Sequence, residues 1–323
     1  MKRGIVLFNL GGPWTLKDVK PFLYNLFSDP AILVGIPAPF RQAVALFISQ
    51  VKGPSSIRTY DAIGGGSPQL LWTRIQADGL NRLANAKGWE TSVMIGMRAS
   101  QPSIEMALQE LKNWGADEVV LFPLFPQFST TTTGTCFQEA KRVLRKLKWK
   151  PALVEIEKWP DHSGYTTLLK KTLEETLQKA EAEPLAQDKG PLHVVFSAHS
   201  LPVAIVRRGD PYPDDVDRTV RVLTRDLRYP WSLAFQSRNG KMPWLNPYLE
   251  DELRRLGQNG IRRVIVVPIS FVSDHIETLW ELDQLYAEVA KKSGIESYHR
   301  SRAFNGDPEF HQVLYSVLRE HVV

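Results

Sequence analysis

Part of this chain is written twice. PSIEMALQELKNWGADEVVLFP at 102–123 superposes on PYLEDELRRLGQNGIRRVIVVP at 247–268, 145 positions later. Pro102 meets Pro247, Glu105 meets Glu250, and Leu108 and Leu111 meet Leu253 and Leu256. Gly115 meets Gly260, Val119 meets Val264 and Pro123 meets Pro268. The matches fall at a helix start, its apolar face, its closing glycine and the following strand, where a shared helix–strand unit needs them. A fainter echo pairs GIVLFNLGGP with LHVVFSAHSLP. The repeat specifies two similar α/β halves.

The rest of the chain fits that plan. Short apolar runs lie at 4–10, 92–97, 118–125, 152–159, 192–199, 231–237, 262–270 and, more weakly, 296–304. Stretches with 3.6-residue periodicity separate most of them. Continuous apolar strands alternating with helices predict parallel sheets covered on both faces. The expected fold is α/β, with two similar Rossmann-like lobes, each a parallel sheet flanked by helices, and a cleft between them. The expected boundaries are 1–126 plus 299–323 for the N-terminal lobe and 127–298 for the C-terminal lobe. Ligands in such folds bind outside the carboxyl ends of strands. The polar residues there, Asn9, Arg98, Gln127, His199, Gln236 and the SDHIE segment, are therefore the candidates for chemistry.

Composition narrows the function. A net charge of +5 over 323 residues, without a block of Lys or Arg, gives no nucleic-acid stripe. Cys136 is the single cysteine, which excludes an intrachain disulfide, a cysteine-based zinc site and a cysteine-ligated iron–sulfur cluster built from this chain. The opening MKRGIVLFNLGGP has the charges of a signal peptide but an apolar run too short for one. No window approaches the ~20 apolar residues of a spanning helix. The chain is expected to be cytoplasmic.

His199, in FSAHSLP, ends a strand among small residues, so its ring can project into a cleft. A lone histidine there could simply bond to backbone. A second ending, SDHIETLWELD at 273–283, pairs it with Asp274, His275, Glu277 and Glu281. Asp274 could cap a helix, with Glu277 favoured in its first turn. Glu277 and Glu281, four apart, share one helical face; such a pair is ordinarily a solvated face, but at a strand end it offers a route for a divalent cation. The glycines of YDAIGGGSP lack the Lys-Ser/Thr of a P-loop and let the backbone approach something closely. Tyr60, Ser67 and Lys52 could then hold an anionic group. The apolar segment 31–51, with Phe40, Val44, Phe47, Ile48 and Val51 in a stripe, is a core helix, a lip over a large flat ligand, or a membrane-dipping element.

Taken together, NLGGP (9–13), IGGGSP (63–68), FPQFSTTTTG (125–134), FSAHSLP (196–202), FQSRNGKMPWLNP (235–247) and VSDHIETLWELD (272–283) resemble the ferrochelatase family. The resemblance implies a class II chelatase-like fold and a lyase that inserts Fe2+ into protoporphyrin IX, the last step of haem synthesis. The bacterial, protoporphyrin-using branch without an iron–sulfur cluster is the expectation, with coproporphyrin III or a non-catalytic tetrapyrrole carrier as alternatives. Iron is then a substrate, and no permanently bound cofactor is implied. The resemblance makes His199 the proton acceptor or metal ligand at the macrocycle, faced by His275 and Glu277 and supported by Asp274. His199, Glu277 and Glu281 are the implied metal residues. Leu10, Trp244 and Phe271 match positions that pack on the porphyrin; Lys52, Tyr60 and Ser67 match positions near the propionates; Arg98 matches a pocket arginine. Three positions depart from the family. Ala99 and Ser100 stand where Tyr-Trp is common, and Leu285 ends the carboxylate row. Peripheral membrane association through 31–51, on the inner face of the cytoplasmic membrane, and transient contacts with neighbouring haem-pathway enzymes are also expected.

Overall fold

A computed structural model describes residues 1–33, 35–183, 190–238, 240 and 242–322. Val34, within the 31–51 segment, and Asn239 and Lys241, within the 235–247 run, lie outside the described residues. All eight expected strands form, in two parallel four-stranded sheets of the same topology.

The first unit comprises Met1–Trp159 and Asn305–Val323. Strand β1 (Lys2–Asn9) leads to α1 (Val19–Phe27), α2 (Ala38–Asp61) and α3 (Gln69–Ala86), then to β2 (Glu90–Met97). Next come α4 (Ile104–Trp114), β3 (Glu118–Pro123), a π-helical turn (Thr130–Gly134), α5 (Thr135–Lys146) and β4 (Ala152–Glu155). The sheet order is β2-β1-β3-β4. In β1 every residue after Lys2 is buried, as helices on both faces require. Ser103 caps α4 by accepting the Met106 N–H, and Gly115 closes it in the left-handed region at φ 81°.

The second unit, Pro160–Phe304, repeats the pattern. After α6 (Ser163–Ala182) come β5 (Leu192–His199), α7 (Val203–Val206), α8 (Tyr212–Thr224) and β6 (Trp231–Gln236). Then follow α9 (Leu249–Gln258), β7 (Arg263–Pro268), a π-helical segment (Glu277–Tyr286), α10 (Ala287–Lys292) and β8 (Ser297–Arg300). The order is β6-β5-β7-β8. The final helix, α11 (Pro308–His321), packs against α3 in the first unit. The offset of 145 seen at 102–123 continues to the ends of β4 and β8, at Glu155 and Arg300.

The division falls after Trp159, not after 126. The reason is β4: it extends the first sheet by pairing with β3 (Glu118↔Ala152 to Leu121↔Glu155), so everything from 127 to 159 stays with that sheet. Likewise β8 pairs with β7, which carries the second unit on to Phe304 rather than 298.

Helix α2 is inside out. Its buried stripe is small, Ala45, Ser49 and Gly53, and a Cβ on Gly53 would meet the Lys20 stem of α1 at 2.9 Å. Its large apolar residues face solvent, with Phe40 67%, Phe47 68% and Val51 61% exposed. The core-helix reading of 31–51 therefore fails for these side chains. No helix among the described residues is long and apolar enough to cross a membrane.

Candidate active site

In the second unit the strand order reverses between β5 and β7, and the crevice at their carboxyl ends is where open sheets bind ligands. His199 ends β5 there. Its Nδ1 lies 2.6 Å from the Ser200 carbonyl oxygen, which can only accept. Nδ1 therefore carries the proton and Nε2 keeps its lone pair. Burial lowers the pKa of this imidazole, against a smaller opposing pull from the Glu277 carboxylate, so the neutral form dominates at pH 7. Behind it, the buried Tyr212 hydroxyl sits 2.7 Å from Ser270 Oγ and also meets the His199 main chain.

The loop after β7 brings the second group. The Phe271 ring stands edge-on to both imidazoles, 6.3 Å from His199 and 4.6 Å from His275 between centroids. His275 Nδ1 lies 3.3 Å from Glu277 Oε2, within ion-pair range. Asp274 accepts a hydrogen bond from Thr278 Oγ1 at 2.9 Å and pairs with Arg300 at 3.1 Å, so its charge anchors the loop. Trp244 is tied to the same region by a bridge to Pro202, and the neighbouring Leu245 carbonyl accepts from Ser200 Oγ at 3.0 Å.

Gln236 joins these pieces. It ends β6 beside His199; its Nε2 donates to the Glu277 carbonyl at 2.9 Å and to Glu281 Oε2 at 3.0 Å, while its Oε1 accepts from Ser197 at 2.8 Å. Ser237 adds a 2.5 Å bond to the same Glu281 oxygen from a left-handed backbone (φ 67°). Burial, reinforced by the Glu277 charge, pushes the Glu281 carboxyl up to about 7. The π winding redirects the acidic row: after Glu277 and Glu281 its wider turn leads to Tyr286, which is buried, rather than to Leu285, which is 40% exposed. Among the described residues no three His, Cys, Asp or Glu side chains form a ready-made metal site, so His199, Glu277 and Glu281 are not preassembled as one.

In the first unit the glycine-rich run approaches the NLGGP loop. Ser67 N–H donates to the Pro13 carbonyl at 2.7 Å. A Cβ on Gly12 would lie 2.6 Å from the Ser67 side chain, and one on Gly66 would strike the Trp14 carbonyl. Leu10 and Ser67 thus sit on loops in contact. Tyr60 is buried near the end of α2, and Lys52 lies 5.6 Å above the Phe27 ring with its pKa lowered by burial. Arg98 is committed elsewhere. Its Nη2 pairs with the buried Asp29 at 2.7 Å and its Nε donates to Thr135 at 2.9 Å, while Thr135 donates to Asp29 at 2.6 Å. Much of its charge is spent inside the unit.

Comparison with known proteins decides the family. Residues 2–322 match the ferrochelatase family profile. The chain belongs to the ferrochelatase family. It is 41% identical to a ferrochelatase of Synechococcus sp. (strain JA-3-3Ab), over 100% of this chain and 94% of the relative. It is 37% identical to the ferrochelatase of Aquifex aeolicus (strain VF5), over the full length of both. Among solved structures, SirB from Bacillus subtilis with Fe3+ matches at a TM-score of 0.54 and 12% identity, covering 100% of this chain and 96% of that one. That likeness is one of fold, and it bears out the chelatase-like architecture of two parallel sheets flanked by helices.

For a ferrochelatase-family chain, the structure gathers His199, Phe271, Asp274, His275, Glu277, Glu281 and Trp244 at one end of the second unit's sheet. Sequence reasoning overlooked the residues that hold them: Ser237, Thr278, Tyr212, Ser270 and Arg300. Tyr212 follows the turn residues Arg208-Gly209-Asp210, and the buried Asp210 accepts its N–H at 3.0 Å. The sequence there shows only a polar turn, and the burial of its acid is not visible without the structure.

Proposed function

We propose that this chain is a ferrochelatase that inserts Fe2+ into protoporphyrin IX, a porphyrin metal chelatase of the lyase type. The observation that carries this reading is His199, a neutral imidazole with a free Nε2 in the same crevice as the His275–Glu277 pair. Metallation must remove two pyrrole N–H protons and replace the water around iron. Nε2 of His199 has the lone pair to accept a proton or to ligate iron, and His275 with Glu277 supplies a second acceptor set. Glu281, titrating near neutrality, can take a proton onward without a large cost. Phe271, Trp244 and Leu10 would pack on the macrocycle, and Lys52, Tyr60 and Ser67 would meet its propionates. Arg98 is better suited to bracing Asp29 and Thr135 than to holding an anion.

The FQSRNGKMPWLNP run supports protoporphyrin IX over coproporphyrin III. The exposed stripe of α2 supports peripheral attachment to a membrane, on its cytoplasmic face, where a sparingly soluble porphyrin is available. The deciding experiment is anaerobic turnover with Fe2+, with the two porphyrins in separate cuvettes, following loss of free-porphyrin absorbance. Metallation of protoporphyrin IX is expected. Preference for coproporphyrin III would correct the substrate, and a binding shift without metallation of either would replace the enzyme by a carrier.

A further inference from the structure

Asp274 and Asp283 are nine positions apart, yet one guanidinium holds both. Arg300 Nε and Nη2 donate to Asp283 Oδ1 and Oδ2 at 2.6 and 2.8 Å, and Nη1 lies 3.1 Å from Asp274 Oδ1. Asp274 lies in the loop just before the ten-residue π segment Glu277–Tyr286, and Asp283 lies within that segment. Its i→i+5 bonds widen each turn and so change the direction in which Asp283 projects relative to an α-helix, which lets one fork join the loop before the segment to a carboxylate inside it.

The internal repeat supplies a control. At the offset of 145, Arg300 corresponds to Glu155 and Asp283 to Gln138. Glu155 passes over Gln138 and pairs with Lys141, one helical step further on, at 2.8 Å. There the π winding lasts only five residues, Thr130–Gly134, before the α-helix resumes. The strand-end residue thus meets its helix at a different register where the π winding is short.

We propose that Arg300 is a positioning residue whose fork, spanning Asp274 and Asp283, holds the segment between them in π winding and so sets where Glu277 and Glu281 point. The clamp is sheltered, with the Arg300 and Asp274 side chains only 11% and 14% exposed. A lysine could not replace it, because an ammonium is a point charge without a planar fork. The role in the reaction rests on the reading of His275 and Glu277 given above, but the first test needs no turnover.

Backbone hydrogen exchange of residues 274–286 should rise roughly tenfold or more in unliganded Arg300→Gln and Arg300→Lys, with the β5 and β7 amides unchanged. In the same variants kcat should fall roughly tenfold to hundredfold while the KM for porphyrin stays within about twofold. Asp283→Asn, which keeps the Asp274 pair, should shift both readouts in the same direction by less, and it serves if the Arg300 variants do not fold. Unchanged exchange in that segment would overturn the clamp, as would full recovery with lysine. Faster exchange with unchanged kcat would overturn the positioning role. A wild-type protein that metallates no porphyrin would sink the functional reading instead, leaving the exchange result to judge the clamp alone.

Discussion

Burial moves His199 and Glu281 in opposite directions and towards the same uncharged state. For His199 this leaves a base that needs no prior deprotonation at neutral pH. His199→Ala should lower metallation by about 10²-fold or more while the absorbance shift on porphyrin binding survives. Near-wild-type turnover in that variant would remove His199 from the reaction. For Glu281 the consequence is a stability slope. Its folded pKa of about 7 exceeds the ordinary 4.5, so the folded state binds this proton more tightly than the unfolded chain. That contribution is complete below pH 4.5 and is lost as pH rises through about 7. Glu281→Gln removes the titration and keeps an acceptor for Gln236 and Ser237. Thermal melts should show the variant equal to wild type near pH 4.5 and more stable at pH 8, by on the order of a few kcal/mol. A difference that does not change with pH would mean that the carboxyl is not held neutral by its surroundings.

At the scale of elements, the stripe of 31–51 was readable and its direction was not. Phe40, Phe47 and Val51 recur with helical spacing, and apolar periodicity alone points them inward. The structure points them outward because Ala45, Ser49 and Gly53 form a smooth opposite face on which α1 can close. Small residues carry little hydrophobic signal, so the packing face was nearly silent in the sequence. The exposed rings can each contribute roughly 2–3 kcal/mol on leaving water for an acyl-chain boundary. A Phe40→Ser/Phe47→Ser variant should therefore bind vesicles of anionic lipid at least about a hundredfold more weakly, with its melting temperature little changed. Co-sedimentation equal to that of wild type would show that α2 does not make the contact. The π winding of 277–286 was invisible for a different reason. Four-residue spacing of Glu277 and Glu281 suits α and π turns alike, and the winding only shows itself at Tyr286 and in the Arg300 contact, which lies 17 residues beyond Asp283.

For the whole molecule, the strands, the parallel sheets and the repeat were legible because each is local: an apolar run, a closing glycine, a capped helix. The boundary at Trp159 was not, since β4 reveals its sheet only by pairing with β3. The repeat also shows how one plan holds two contents. Thr133 and Thr278 occupy the same place and are both fully buried, but one turn later Cys136 stands where the second unit has Glu281. Burial pushes the Cys136 thiol up to about 12, so the first unit has an inert packing group at the position where the second has a titrating acid. Beneath that difference the two cores should respond alike. Leu108 and Leu253 are repeat mates, each 0% exposed, each among the matching helix and strand residues of its own core: Ile104, Leu111 and Val119 in one, Leu249, Leu256 and Val264 in the other. Truncation to alanine at either site leaves a cavity that a close-packed helix–sheet interface can only partly refill, which costs about 2–5 kcal/mol. Urea unfolding of Leu108→Ala and Leu253→Ala should give losses in that range, within about 1 kcal/mol of each other. A loss at one site several times that at the other would mean that the shared pattern of helix and strand does not extend to shared packing beneath it.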